Sequence, residues 1–196
     1  MEHMTKDRLA AFMDAVLAII MTILVLELPK PEVVDIEHIS ALGSSYFCYS
    51  LSFFWLGVMW VNLHNEWDGV VRITKTVVWL SLILLFVSSW IPYSISVINL
   101  DIRNPLGQGL YGMSVLLVTF ANLILSVVLG RCHAECFSKD DIRRYNNILK
   151  LKYLPDIAIK LIGLALTITV FPMAMMLAVL ISMLWIIIPA EKWLIK

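Results

Sequence analysis

Residues 9–28 read LAAFMDAVLAIIMTILVLEL, interrupted only by Asp14 and Glu27. A helix needs about 20 mostly apolar residues to cross the hydrocarbon core, so this stretch reads as a membrane span. It is not a secretory leader, because it has no small-residue cleavage site and is longer than an apolar leader core of about 7–15 residues. Further apolar runs occupy, approximately, residues 41–63, 77–100, 109–130, 154–171 and 173–189. Only Phe171 and Pro172 separate the last two, which predicts a tight helical hairpin. One long bent helix is the alternative there, and it gives five spans in place of six.

Composition agrees. Hydrophobic residues make up 60% of the chain and charged residues 15%, where a soluble domain carries about 25% charge. So apolar a chain cannot hide its side chains in one core, and lipid must cover the remainder. The formal net charge is zero, which argues against a nucleic-acid or an acidic partner. No soluble domain, Gly/Ser linker, low-complexity tract or internal repeat is visible. The expectation is an all-α, polytopic membrane protein forming one transmembrane unit over residues 1–196.

Lysine and arginine orient it. With six spans and a cytoplasmic N-terminus, the inner segments hold Lys6, Arg8, Arg72, Lys75, Arg131, Lys139, Arg143, Arg144, Lys150, Lys152, Lys192 and Lys196. The outer loops hold only Lys30 and Arg103, and Lys160 lies inside the fifth span. This asymmetry places both termini in the cytoplasm and the chain in the cell membrane. The longest inner connector, 131–153, contains SKDDIRRYNNILK, with Ser138 as N-cap and Asp140 and Asp141 in the first turn. It predicts a short surface helix.

Several motifs carry little. GQGLYG at 107–112 matches a dinucleotide fingerprint but lacks the strand and βαβ unit that the fingerprint needs, so its glycines read as a turn and a tight helix start. Cys132 and Cys136 form one C-x-x-x-C cluster, whereas structural zinc takes four ligands, usually as two spaced pairs. No nucleophile elbow or catalytic carboxylate pair is present, which argues against an enzyme. Asp156 and Lys160 are four apart and can pair on one helical face. The reading there is a neutralised pair near the cytoplasmic helix end, with Lys160 snorkelling.

The first span says most about function. At about 100° per residue, Ile19, Ile23 and Leu26 share one face, flanked by Ala15 and Thr22 and continued by Phe12. Asp14 lies about 140° away from Ile19. The stripe is either ordinary packing or the lining of a narrow pore with a dewetting constriction; periodicity leaves both open.

The segment Arg8-Leu-Ala-Ala-Phe12-Met13-Asp14, followed by Ala18-Ile19-Ile20-Met21-Thr22-Ile23-Leu24-Val25-Leu26-Glu27, resembles the opening of the transmembrane protein 175 family of lysosomal and prokaryotic potassium channels. The family pattern is R-x-x-x-F-S-D and then A-I-x-x-T-L-L-V-L-E. The likeness extends through Ser50-Leu51-Ser52-Phe53, Trp60 and His64 to Trp79, Leu80 and Pro92-Tyr93. Beyond residue 100 it is one of length and span count. Met13, Leu63 and Ser81 depart from the pattern, standing where Ser, His and Asn are usual.

The resemblance implies a homotetramer of six-span chains, with four first helices around a potassium-permeable pore and no carbonyl filter. It implies a hydrophobic ring at Ile19, with Thr22, Ile23 and Leu26 beside it on the pore path. Glu27, near the outer mouth, reads either as a group that concentrates cations there or as an ordinary interfacial residue. Arg8, Phe12, Asp14, Trp60, His64 and Ser81 would form a polar network behind the first helix. No cofactor is implied beyond the permeant potassium ions; the partners are a second copy of the chain, the lipid bilayer and monovalent cations. A secondary transporter is the alternative, but such folds often carry repeats and spans broken near the midplane. Pro92 is expected near the outer end of the third span instead.

Overall fold

The computed structural model describes residues 5–68, 70, 72–133 and 139–194, without the side chains of 68, 133, 139–141 and 188–194. Among these residues the chain is helical throughout, with α1 Lys6–Leu26, α2 Ile36–Ala41, α3 Gly43–Asp68, α4 Lys75–Ser88, α5 Trp90–Leu100, α6 Pro105–His133, α7 Lys139–Thr169 and α8 Ala174–Leu194.

Local chemistry sets the ends. The Thr5 hydroxyl accepts from the Arg8 N–H at 3.4 Å, and Asp7 lies in the first turn of α1, where an acid favours the helix dipole. Asp35 caps α2 by accepting from the His38 N–H at 2.8 Å. That bond and the His38 ring beside it hold the Asp35 carboxyl below the usual carboxylate range. Thr74 caps α4 through the Val77 N–H at 3.3 Å. Asn104 accepts from the Leu106 N–H at 2.9 Å, with Pro105 at the first position of α6, where its missing N–H costs nothing.

Among the described residues, four helices are long and apolar enough to cross a membrane: Lys6–Leu26, Gly43–Trp67, Lys75–Leu100 taken across its break, and Pro105–Cys132. The chain is therefore a multi-pass membrane protein. The last two expected spans fall in the second half of α7 and in α8. In α8 the apolar stretch among the described side chains is Ala174–Ile187.

The structure corrects four expectations. The third span is not one helix: it breaks at Ser89, whose hydroxyl donates to the Phe86 carbonyl at 2.7 Å. Pro92 stands in the first turn of α5, where no intrahelical N–H is required, so it marks the start of a new helix and not the outer end of an old one. The connector helix is not a separate surface piece, because α7 runs on from Lys139 through Pro155 to Thr169. The proposed Ser138 cap and Cys136 lie outside the described residues. The glycines of 107–112 make no turn; all lie within α6, and at Gly112 the helix backbone is in close contact with the side chains of Leu164 and Met175. The fourth correction is Lys160, which does not snorkel: it is 1% exposed.

The hairpin between the last two helices forms as expected. The Met175 N–H donates to the Thr167 hydroxyl across the turn at 2.8 Å, and Gly163 presses against Ala178. Packing centres on α6: 61% of its most apolar window is buried, against 28% for α1. The first helix therefore stands at the edge of the bundle with one face covered and one bare.

Candidate functional site: the bare face of the first helix

The covered face of α1 is Leu9, Met13, Leu17, Ile20 and Leu24. These fall within about 80° on a helical projection and join the common core with Leu51, Trp55 and Leu56 of α3 and Leu84 and Leu85 of α4. Burying one face of a helix leaves the remainder to whatever surrounds the chain.

The predicted stripe lies on that uncovered remainder. Ile19 is 58% exposed, Leu26 78%, Phe12 48% and Ile23 36%; Ala15 and Thr22 are also exposed. Ile20, one residue from Ile19, is only 4% exposed, so the two isoleucines separate cleanly into bare and packed. The Thr22 hydroxyl donates to the Ile19 carbonyl at 2.8 Å. That bond uses its single proton and leaves oxygen lone pairs free to accept. At the end of the helix, the Glu27 carbonyl accepts from Asn99 Nδ2 of α5 at 2.8 Å, which pins the C-terminal end of α1 to the bundle.

The polar residues behind the stripe come together only in part. Trp60 Nε1 donates to Asp14 Oδ1 at 2.7 Å. The His64 ring lies one turn further along α3, with its centroid 5.7 Å from the Trp60 ring. Arg8 makes no ion pair with Asp14. It stands about 120° around the helix from it, on the side of Ile19. Ser81 is fully buried, and its hydroxyl has no hydrogen-bond partner among the described residues. Asp14 is exposed in the single chain. The departures Met13 and Leu63 are both buried and apolar; they fill core positions instead of extending the polar cluster.

A second polar cluster gathers around the anticipated Asp156–Lys160 pair, and its other members were not foreseen. Lys160 Nζ lies 2.8 Å from Asp156 Oδ1 and 2.9 Å from Oδ2, donates to the Thr119 hydroxyl at 2.8 Å, and sits 5.1 Å from the Trp55 ring centroid. Next to it, Asn122 Nδ2 donates to the Tyr153 hydroxyl at 2.9 Å, which also pairs with Ser126 Oγ at 3.0 Å. Lys152 meets Glu66 at 3.3 Å where the cluster approaches the surface. One signal was available in the sequence: Thr119, Asn122 and Ser126 recur at intervals of three and four, which puts them on one face of α6.

Comparison with known proteins bears on both regions. Residues 8–92 match the model of a family described as the endosomal/lysosomal potassium channel TMEM175. A protein named as a potassium channel from Chryseobacterium sp. (strain P1-3) is 36% identical over 134 residues, covering 67% of this chain and 69% of that one. The Gallus gallus protein named endosomal/lysosomal proton channel TMEM175 is 30% identical over 86 residues, 38% of this chain and 17% of that one. In three dimensions the chain shares the fold of the crystal structure of a lysosomal potassium-selective channel TMEM175 homolog from Chamaesiphon minutus. The TM-score is 0.73 at 23% identity, over 97% of this chain and 98% of that one.

Proposed function

The chain belongs to the TMEM175 family, and from that premise we propose that it is a potassium-permeable cation channel whose pore is lined by α1. In this reading residues 1–196 form one channel unit of six spans. Four copies assemble around a central axis in the cell membrane, with both termini in the cytoplasm. The observation that carries the reading is the division of α1 into a packed face and a bare apolar face, with Ile19 at 58% exposure in the middle of the bare one.

Four such faces turned toward one axis converge at Ile19 on a ring of branched side chains. A bare cation in a dry, apolar gap is very costly, and constrictions of this kind gate by dewetting. The ring therefore conducts only when it widens or wets. Thr22, one turn along, offers acceptor lone pairs to a partly hydrated ion, because its own proton is already bonded to the helix. Ile23 and Leu26 continue the path, and Glu27 adds negative charge at the outer mouth. Asp14, on the other side of α1, holds the helix to α3 through Trp60 and stays off the ion path.

Reconstituted vesicles provide the experiment. Single-channel steps carried by potassium, from a purified tetramer, are the expected result. Slow, saturable flux without steps would establish a carrier in place of a channel.

A further inference from the structure

The column of polar groups between α3, α6 and α7 borders a partly open cavity of about 20 Å³, lined among others by Asn62, Asn122, Asp156 and Lys160. A water needs roughly 10–15 Å³ by the same measure, together with two to four polar partners. Asn122 is 6% exposed and its amide nitrogen is spent on Tyr153, but its Oδ1 has no donor. Buried carbonyl oxygens in this state are rare and costly. The ionic groups do not supply that donor. Lys160 is committed to Asp156 and Thr119, and Lys152 to Glu66.

Charge decides what can fill the space. Two lysines face two carboxylates along the column, so it carries no net charge. A cation entering the cavity would meet the Lys160 ammonium, and an anion would meet Asp156. A neutral donor of the size of water meets neither objection.

We propose that this cavity is a water site within each subunit, with the water donating one hydrogen bond to Asn122 Oδ1 and the other to the Asp156 carboxylate. Thr119 stands at the midpoint of α6 and Trp55 at the midpoint of α3, so the site holds water at mid-membrane, inside the helix bundle. It is separate from the axis that α1 would line, and it does not depend on that reading. The water gives Asp156 a second donor besides Lys160, and it completes the polar join between α6 and α7. The ion pair thereby stays solvated without reaching either surface of the membrane.

Radiolytic footprinting of the intact protein in nanodiscs tests this. Hydroxyl radicals formed from a bound water label the side chains next to it. Met59 and Tyr153 line the cavity and are 7% and 3% exposed; Met13 and Tyr111 are also buried, at 1% and 0%, but away from it. Met59 and Tyr153 should be modified several-fold faster than Met13 and Tyr111 if a water occupies the cavity. In Asn122→Leu, whose side chain removes the acceptor and fills the space, that excess should vanish. Protection of Met59 and Tyr153 equal to that of Met13 and Tyr111 in the unmutated protein would overturn the proposal. So would an excess that persists in a folded Asn122→Leu protein, since it would then come from bulk solvent.

Discussion

The Trp60 indole donates to the Asp14 carboxylate over 2.7 Å, tying the middle of the first helix to the third. The contact is charge-assisted, which makes it stronger than a neutral hydrogen bond. Its partner, however, is an uncharged ring and not an arginine, so it is no buried ion pair. Trp60→Phe keeps the aromatic packing and removes only the donor. It should lower stability by about 1 kcal/mol, read as a lower midpoint of thermal dissociation of the assembled protein. Asp14→Ala should produce a similar loss. If either variant keeps full stability but alters single-channel conductance, Asp14 belongs to the ion path and its placement behind α1 is wrong.

Orientation is a separate prediction. Lys30 and Arg103 are the basic residues assigned to the outer loops, and Arg143 lies on the connector assigned to the inside. With the native cysteines removed, single cysteines at positions 30 and 103 should react with a membrane-impermeant reagent added outside intact cells. A cysteine at position 143 should react only after the membrane is opened. Outside reactivity at 143 would reverse the topology.

The long helices of the first half were legible because each carries a mostly apolar run, whereas the short α2, with Glu37 and His38, was not. The break at Ser89 was not legible. Its cause, a proline that tolerates the first turn of a new helix, reads in sequence just as well as the end of an old one. The bare stripe of α1 was visible by periodicity, since Phe12, Ile19, Ile23 and Leu26 share one face. What the bare side meets was not, because an apolar stripe looks the same against lipid, protein or a pore. Lys160 was misread for a related reason. Its spacing to Asp156 revealed the pair, but burial depends on Trp55 and Thr119 from other helices, which no local pattern brings near.

The Lys160–Asp156 pair, at side-chain exposures of 1% and 2%, gives a prediction about stability. Lys160→Met strands a carboxylate inside the bundle and should cost about 3–5 kcal/mol. Adding Asp156→Leu removes the stranded charge, so the double variant should recover much of the loss. Thermal melts of the two single variants and the double variant form the cycle. Additive losses would mean that the two residues do not act as a pair.

The helical hairpin is sensitive to volume. At Gly163 the α7 backbone lies against Ala178 with no space for a side chain. Gly163→Val must push α7 and α8 apart, and overpacking of this kind typically costs about 1–3 kcal/mol. The variant should melt earlier than the unmutated protein while still forming helix by circular dichroism. An unchanged melting point would show that the two helices do not meet at this position.

Ile19 and Ile20 are adjacent in the chain and opposite in environment, one 58% exposed and the other 4%. If four copies of α1 surround the axis, Ile19→Ala removes bulk from every side of the ring at once. Ile19→Asn adds groups that can wet the gap. Both should raise single-channel conductance, and Asn should also shift reversal potentials in mixed potassium and sodium toward weaker discrimination. Ile20→Ala should do neither. It empties a packed core position instead, at a cost of about 2–4 kcal/mol, which a melting curve reads. The two substitutions therefore separate along two measurements, conductance for Ile19 and stability for Ile20. Equal conductance effects at both positions, or none at either, would mean that the bare face of α1 does not line the pore, and the channel mechanism proposed for this chain would have to be abandoned.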